Sequence, residues 1–292
     1  MIDLYRRTLS DDRRVNQEKT LSVCTFNILA PCYKRLSSES DRESSHDSLW
    51  QCRHMSIIDL LQSLDIHLIC LQEFWFKNIP FVQLYKSHLS PKYSFYSVQR
   101  TGALDDGLVI LVDHNQVKVI KTQELILNDI GNRVGLLLHL EYRGEQLLLI
   151  NVHLTFPHHR FEYRLRLKQM KRFLHLINEY QRSNDIHERC SIILCGDFNS
   201  PFHTDPVYQL LGEQFLSCYR STHGHEPHVT HLTHRNEEVG VDFIFYQSKS
   251  FQAISTDLIP RGCDQSRWHD HTQWTLSDHR ALLTTFQFND NE

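Results

Sequence analysis

The chain has 292 residues, with 31 Lys+Arg, 35 Asp+Glu and 20 His, for a formal net charge of −4. Hydrophobic residues at 40% and charged residues at 23% match a globular protein and exclude global disorder and fibrous classes. The slight acidity excludes a protein that coats long nucleic acid by charge alone, while leaving room for a local basic cleft.

Residues 1–20 (MIDLYRRTLSDDRRVNQEKT) read as a polar arm without the apolar stretch of a secretory signal. Leu21–Asn27 alternates like a strand. Arg35–Ser48 is rich in Ser and charge and reads as a flexible loop. Met55–Leu64 carries Ile57, Ile58, Leu61 and Leu64 at helical spacing, and Ile66–Leu71 is a short buried run. Gly107–Val112 is another. Val134–Tyr142 and Gln146–Leu154 flank Arg143-Gly144-Glu145 and predict a hairpin. Glu162–Tyr180 places Leu165, Met170, Phe173, Leu174, Ile177 and Tyr180 on one face, an amphipathic helix. Ser191–Leu194, Val241–Tyr246 and Ala281–Phe288 are further strands, so residues 21–288 form one domain and 289–292 a tail. Strands outnumber helices, which suits mixed sheets covered by helices better than a doubly wound parallel sheet. No apolar run approaches the roughly 20 residues of a bilayer span. Eight Cys without a CxxC pair read as free thiols of a reducing compartment, which points to the cytoplasm or nucleus.

Five of these strands end in, or run into, polar residues. They supply Asn27, Glu73, Asn151 with His153, Asp197 with Asn199, and Asp278 with His279. Residues two apart in a strand share a face, so Asn151 and His153 point the same way. Any one of these residues taken alone is an ordinary turn or cap. Together they are groups that hold a hard cation or a phosphate, and an oxygen-rich set without Cys suits Mg2+ better than Zn2+. The segment His223–His234 holds five His but lacks the Cys partners of common zinc motifs.

In this order, TFNILAPCY, LQE, INVHL, GDFNS, GVDFIFY and LSDHR resemble the motifs of the endonuclease/exonuclease/phosphatase superfamily. The resemblance runs from Leu21 to Phe288. Trp50, Arg53 and Arg166–Gln169 are similar to CCR4-like members, and the aromatic run after Glu73 is similar to neutral sphingomyelinases. It implies an α/β four-layer sandwich of two mixed β-sheets flanked by helices. It also implies Mg2+, with Mn2+ as a substitute, held by Glu73, with Asn27 and Asp278 completing or bordering the metal site. Asp197 would orient or deprotonate the attacking water, Asn151 and Asn199 would bind phosphate, and His153 would lie near the leaving oxygen. Asp242 would fix His279. The implied activity is a phosphodiesterase, an exonuclease acting on single-stranded RNA or another nucleotide. The alternatives are a sphingomyelinase-like or inositol-phosphate hydrolase, or a non-catalytic scaffold. Arg100, His158, His159 and Arg160 are candidate phosphate contacts, and Phe156 and Phe202 candidate stacking groups.

Overall fold

The computed structural model describes residues 19–157, 162–186, 190–201, 205–261, 267–268 and 274–289. The expected arm, apart from its last two residues, and residues 290–292 of the tail lie outside that range. So do His158, His159, Arg160 and Phe202.

Two six-stranded mixed sheets pack face to face. The first has the order β13-β14-β1-β2-β4-β3, from Phe251–Ile259 (β13), Ala281–Phe288 (β14), Thr20–Asn27 (β1), Leu68–Trp75 (β2), Asp106–Asp113 (β4) and Tyr93–Gln99 (β3). The second has the order β5-β6-β7-β8-β12-β9, from Lys118–Ile126 (β5), Val134–Tyr142 (β6), Glu145–His153 (β7), Ser191–Asp197 (β8), Asp242–Gln247 (β12) and Leu216–Ser217 (β9). His231–Leu232 (β10) and Glu238–Val239 (β11) form a small separate ladder.

Side-chain alternation builds the layers. Leu21, Val23, Leu68, Cys70, Leu136, Leu138, Leu147, Leu149 and Ile193 fill the space between the sheets. The alternate residues of the first sheet, such as Phe26, Ile69 and Leu71, pack against helices α1 (Asp47–Ser63) and α2 (Ile79–Leu89). Those of the second, Ile150, Val152 and Leu194, pack against α3 (Glu162–Ser183) and α4 (Pro206–Gly212). A short helix, α5, spans Cys218–His223. Central strands buried on both faces explain the near-continuous apolar runs of the sequence. This is the expected four-layer sandwich.

Local differences have physical causes. Helix α1 begins at Asp47, not Met55, because Trp50, Arg53 and His54 are also buried on its inner side. The Ser-rich segment before it is ordered by an Arg35–Arg42 bridge and a 3-10 turn at Glu43–Ser45. Strands β5 and β13 lie at sheet edges, largely polar, and each carries a register shift. The predicted hairpin turns at Arg143 (φ 53°) and Gly144 (φ 84°), the two positive angles of a type I′ turn. Gly196 (φ 141°) lies so close to β7 that a Cβ would stand 1.9 Å from the Val152 carbonyl oxygen. That close approach lets β8 end beside β7 and present Asp197 opposite His153.

Candidate active site

The parallel pairs β1–β2 and β7–β8 end on the same side of the sandwich, so their last residues meet there. Asp242 starts β12 directly across from Asp197, and the loop before β14 adds Ser277, Asp278 and His279. Together they surround a cavity of about 860 Å³ lined by Glu73, His153, Asp197, Asn199, Asp278 and His279, among others.

At its centre lies a charge cluster. His279 Nδ1 donates to Asp242 Oδ2 at 2.9 Å, and His279 Nε2 lies 3.6 Å from Asp197 Oδ2. Burial works against charge on His279, but Asp242 and Asp197 outweigh it and raise its pKa to about 10. Its charged form therefore prevails at neutral pH. His153 Nε2 lies 3.3 Å from Asp197 Oδ2. Burial, with Arg133 and Arg100 nearby, pushes His153 well below the usual imidazole range and keeps it neutral. Burial also raises Asp197, Asp242 adds to the rise, and His279 opposes it.

Glu73 lies at a bulge in β2 with φ 58°. Ala30 N–H donates to its Oε2 at 3.1 Å, and Asn27 Nδ2 to its Oε1 at 3.3 Å. Burial, then the Asp278 and Asp106 carboxylates, push Glu73 up to about 7. Burial would raise Asp278 as well, but His231 and the charged His279 hold it down at about 2.

The donor set can be tested against a divalent cation. Among the described residues, two constellations of possible ligand atoms lie within 4.8 Å: His231–Asp278–His279 and Asp197–Asp242–His279. Both depend on His279, whose Nδ1 is engaged by Asp242. Glu73 and Asp278 instead present half-buried carboxylates that repel each other, and a cation between them would relieve that repulsion. The chemistry of these two groups fits a hard divalent ion.

One expected role is corrected. Asn151 does not reach the cavity. It is fully buried between the sheets, where its Nδ2 donates to Leu71 O and Val109 O and its Oδ1 accepts from Gln72 Nε2. Its amide is consumed in tying the two sheets together, so it is no phosphate ligand. Asn27 Oδ1 accepts from Leu29 N–H, and its Nδ2 donates to Glu73 and Asp197. Asn27 thus bridges the two carboxylates as a donor, at the border of the site. Asn199 stays on the cavity wall, with Nδ2 donating to Leu154 O.

Two residues that the sequence reading did not single out also line the cavity. Arg133 is buried beside His153, and its Nε and Nη1 have no hydrogen-bond partner among the described residues. Its only sequence signal is a lone cation opening an apolar strand. His231 is one of five equivalent-looking His in its segment. Arg100, a named candidate, lines the same wall, with Nη1 donating to Asp106 and Nη2 to Gly131 O. Phe156 packs against His231 and His234 at the rim. Arg166 and Gln169 serve the scaffold, bonding Asp205 and Thr155.

The sequence signature of the endonuclease/exonuclease/phosphatase family matches residues 24–279. The chain belongs to this family. It is 38% identical over 248 residues to an uncharacterized calcium-binding protein of Arabidopsis thaliana, covering 78% of this chain and 51% of that protein. It is 26% identical over 214 residues to Protein angel of Drosophila melanogaster, covering 67% of this chain and 58% of that protein. The chain therefore spans about half the length of these relatives. Among solved structures, ANGEL2, described as a 2',3'-cyclic phosphatase, superimposes with a TM-score of 0.71 at 20% identity, covering 92% of this chain and 96% of that one. The family assignment and the fold expected from the motifs are both borne out.

Proposed function

We propose that the chain is a divalent-cation-dependent phosphodiesterase acting on single-stranded RNA or another nucleotide, with Mg2+ as its cation and Mn2+ as a substitute. The observation that carries this reading is one cavity whose wall holds the Glu73 and Asp278 carboxylates, the Arg100 and Arg133 guanidiniums, and His153 and His279. Family members typically depend on a divalent metal. ANGEL2 was solved with adenosine-2',3'-vanadate, a nucleotide ligand, which supports the nucleotide class over a lipid.

Glu73 and Asp278 would hold the cation, with Asn27 bordering it, and the ion would offset charge on the phosphoryl oxygens. Asp197, raised by burial, is placed to orient or deprotonate water. His279, held charged by Asp242, would donate to a phosphoryl oxygen, and His153 would lie near the leaving group. Asn199, Arg100 and Arg133 would bind the remaining phosphate oxygens. Among the described residues no helix is long and apolar enough to cross a membrane, and the seven described cysteines are free. A reducing compartment such as the cytoplasm suits both.

The test is a substrate panel with Mg2+, Mn2+ or EDTA, comprising single-stranded RNA, a 2',3'-cyclic nucleotide, sphingomyelin in micelles and an inositol polyphosphate. Metal-dependent hydrolysis of RNA or the cyclic nucleotide is the expected result. Hydrolysis of the micellar lipid alone would overturn the nucleotide reading, and activity undiminished in EDTA would overturn the metal.

A further inference from the structure

The histidine-rich segment enters the site at one point. Leu232 N–H donates to Asp278 O at 2.9 Å, and Arg280 N–H to Thr230 O at 2.7 Å. These bonds flank His231 and His279, which face each other as an isolated antiparallel bridge. They form a non-hydrogen-bonded pair, the kind whose side chains stand closest. Their rings are stacked, with centroids 3.9 Å apart and planes 8° from parallel. His231 Nε2 lies 3.7 Å from Asp278 Oδ2, and Phe156 closes the other side at 6.2 Å. One residue earlier, Thr230 Oγ1 accepts from the backbone N–H groups of Val241 and Asp242. The same short segment therefore secures both members of the Asp242–His279 pair.

His279 needs that support. Its ring makes one short side-chain hydrogen bond, at Nδ1, and Nε2 stands 3.6 Å from Asp197. That bond alone opposes rotation of the ring about Cβ–Cγ, and a parallel aromatic face adds a second restraint on the ring plane. We propose that His231 is a positioning residue of the active site, whose stacked ring fixes the plane of His279 so that Nε2 faces Asp197 and the cavity.

Two variants isolate the aromatic face. His231→Phe keeps it and removes the nitrogen atoms. His231→Leu fills similar space without it. The first readout needs no turnover: the NMR resonance of the His279 Nδ1 proton, recorded on metal-free protein. His231→Phe should keep a sharp signal, and His231→Leu should broaden it by exchange with solvent. The second readout is hydrolysis of bis(p-nitrophenyl) phosphate with Mg2+, which rests on the phosphodiesterase reading. His231→Leu should lose roughly tenfold in kcat with KM within about twofold, while His231→Phe stays within about threefold of wild type. Two variants that behave alike in the NMR readout, whether both intact or both impaired, would overturn the proposal. If the wild type leaves the phosphodiester untouched, the phosphodiesterase reading fails, and the NMR comparison still decides the role of His231.

Discussion

Arg53 ties together the two loops that carry the site. Its Nη1 donates to Ile28 O at 2.9 Å and to Leu276 O at 2.8 Å, and its Nη2 donates to Leu29 O at 2.8 Å. Its Nε and Nη2 also clasp Glu43, whose side chain is 2% exposed. The Ile28 and Leu29 carbonyls follow Asn27 and the Leu276 carbonyl precedes Ser277-Asp278-His279, so one guanidinium links the end of β1 to the loop before β14. Arg53→Met removes these donors while keeping most of the stem volume. Breaking a buried pair by deleting one partner costs about 3–5 kcal/mol. Lys34 remains 3.1 Å from Glu43 and offsets part of this, while the three carbonyls lose donors worth about 1 kcal/mol each. A net loss of about 3–5 kcal/mol is a large share of the roughly 5–15 kcal/mol available to a folded protein. Urea titration measures it as a lower midpoint at unchanged slope. The double variant Arg53→Met/Glu43→Leu should recover part of the loss, because no charge is left buried. The pair should also show in the pH profile. Burial raises Glu43, but Arg53 and Lys34 outweigh it and hold its pKa below the usual range. A depressed carboxylate stabilises the fold above its unfolded pKa of about 4.5 and loses that contribution as pH falls through the folded value. Wild type should therefore weaken on acidification below about pH 4.5 more steeply than the double variant. A loss under about 1 kcal/mol in Arg53→Met would refute the role given to Arg53.

Glu73→Gln should keep the fold and lose most activity, with partial rescue by excess Mg2+; full activity at ordinary Mg2+ would remove Glu73 from the site. In EDTA the sign of its linkage is also testable: burial and neighbouring carboxylates raise Glu73 to about 7 from 4.5. The wild-type fold should thus lose stability as pH rises between these values, and Glu73→Gln should flatten that fall. His279→Ala and Asp242→Ala should be non-additive, since each disrupts one hydrogen-bonded unit; a double variant whose loss equals the product of the single losses would show independent action. Arg133→Met should weaken single-stranded RNA binding and reduce the slope of log affinity against log salt by about 0.7, the share of one phosphate contact; an unchanged slope would place Arg133 outside the substrate path.

What could be read from the sequence, and what could not, follows from how far each signal reaches along the chain. The central strands were legible because burial on both faces leaves them almost wholly apolar, as in Leu147–Ile150 and Ile192–Cys195. Strands β5 and β13 left no such mark, because at a sheet edge KVIKTQELI and FQAISTDLI interleave polar with apolar residues. Helix α2 is announced only by Asn78, which caps Phe81 N–H, and by Pro80 in its first turn. The polar strand ends stood out as a set because each interrupts or closes an otherwise apolar run. Depth along a strand was not. Asn151 and His153 share a face of β7, yet two residues are about 6.6 Å of rise. That distance puts His153 on the cavity wall and leaves Asn151 inside the sandwich, bonded to carbonyls at Leu71 and Val109. Arg133 and His231 depended on partners far away in sequence. Nothing within residues 223–234 distinguishes His231 from its neighbours until the segment pairs with residues 278–280. His223, His225 and His228 instead cluster beside Tyr219, where Nδ1 of His223 and of His225 meets backbone carbonyls. The His-rich composition is thus divided by backbone pairing into a part that borders the reacting groups and a part that does not. Position across a ladder, which no local spacing encodes, decides which histidine faces the chemistry.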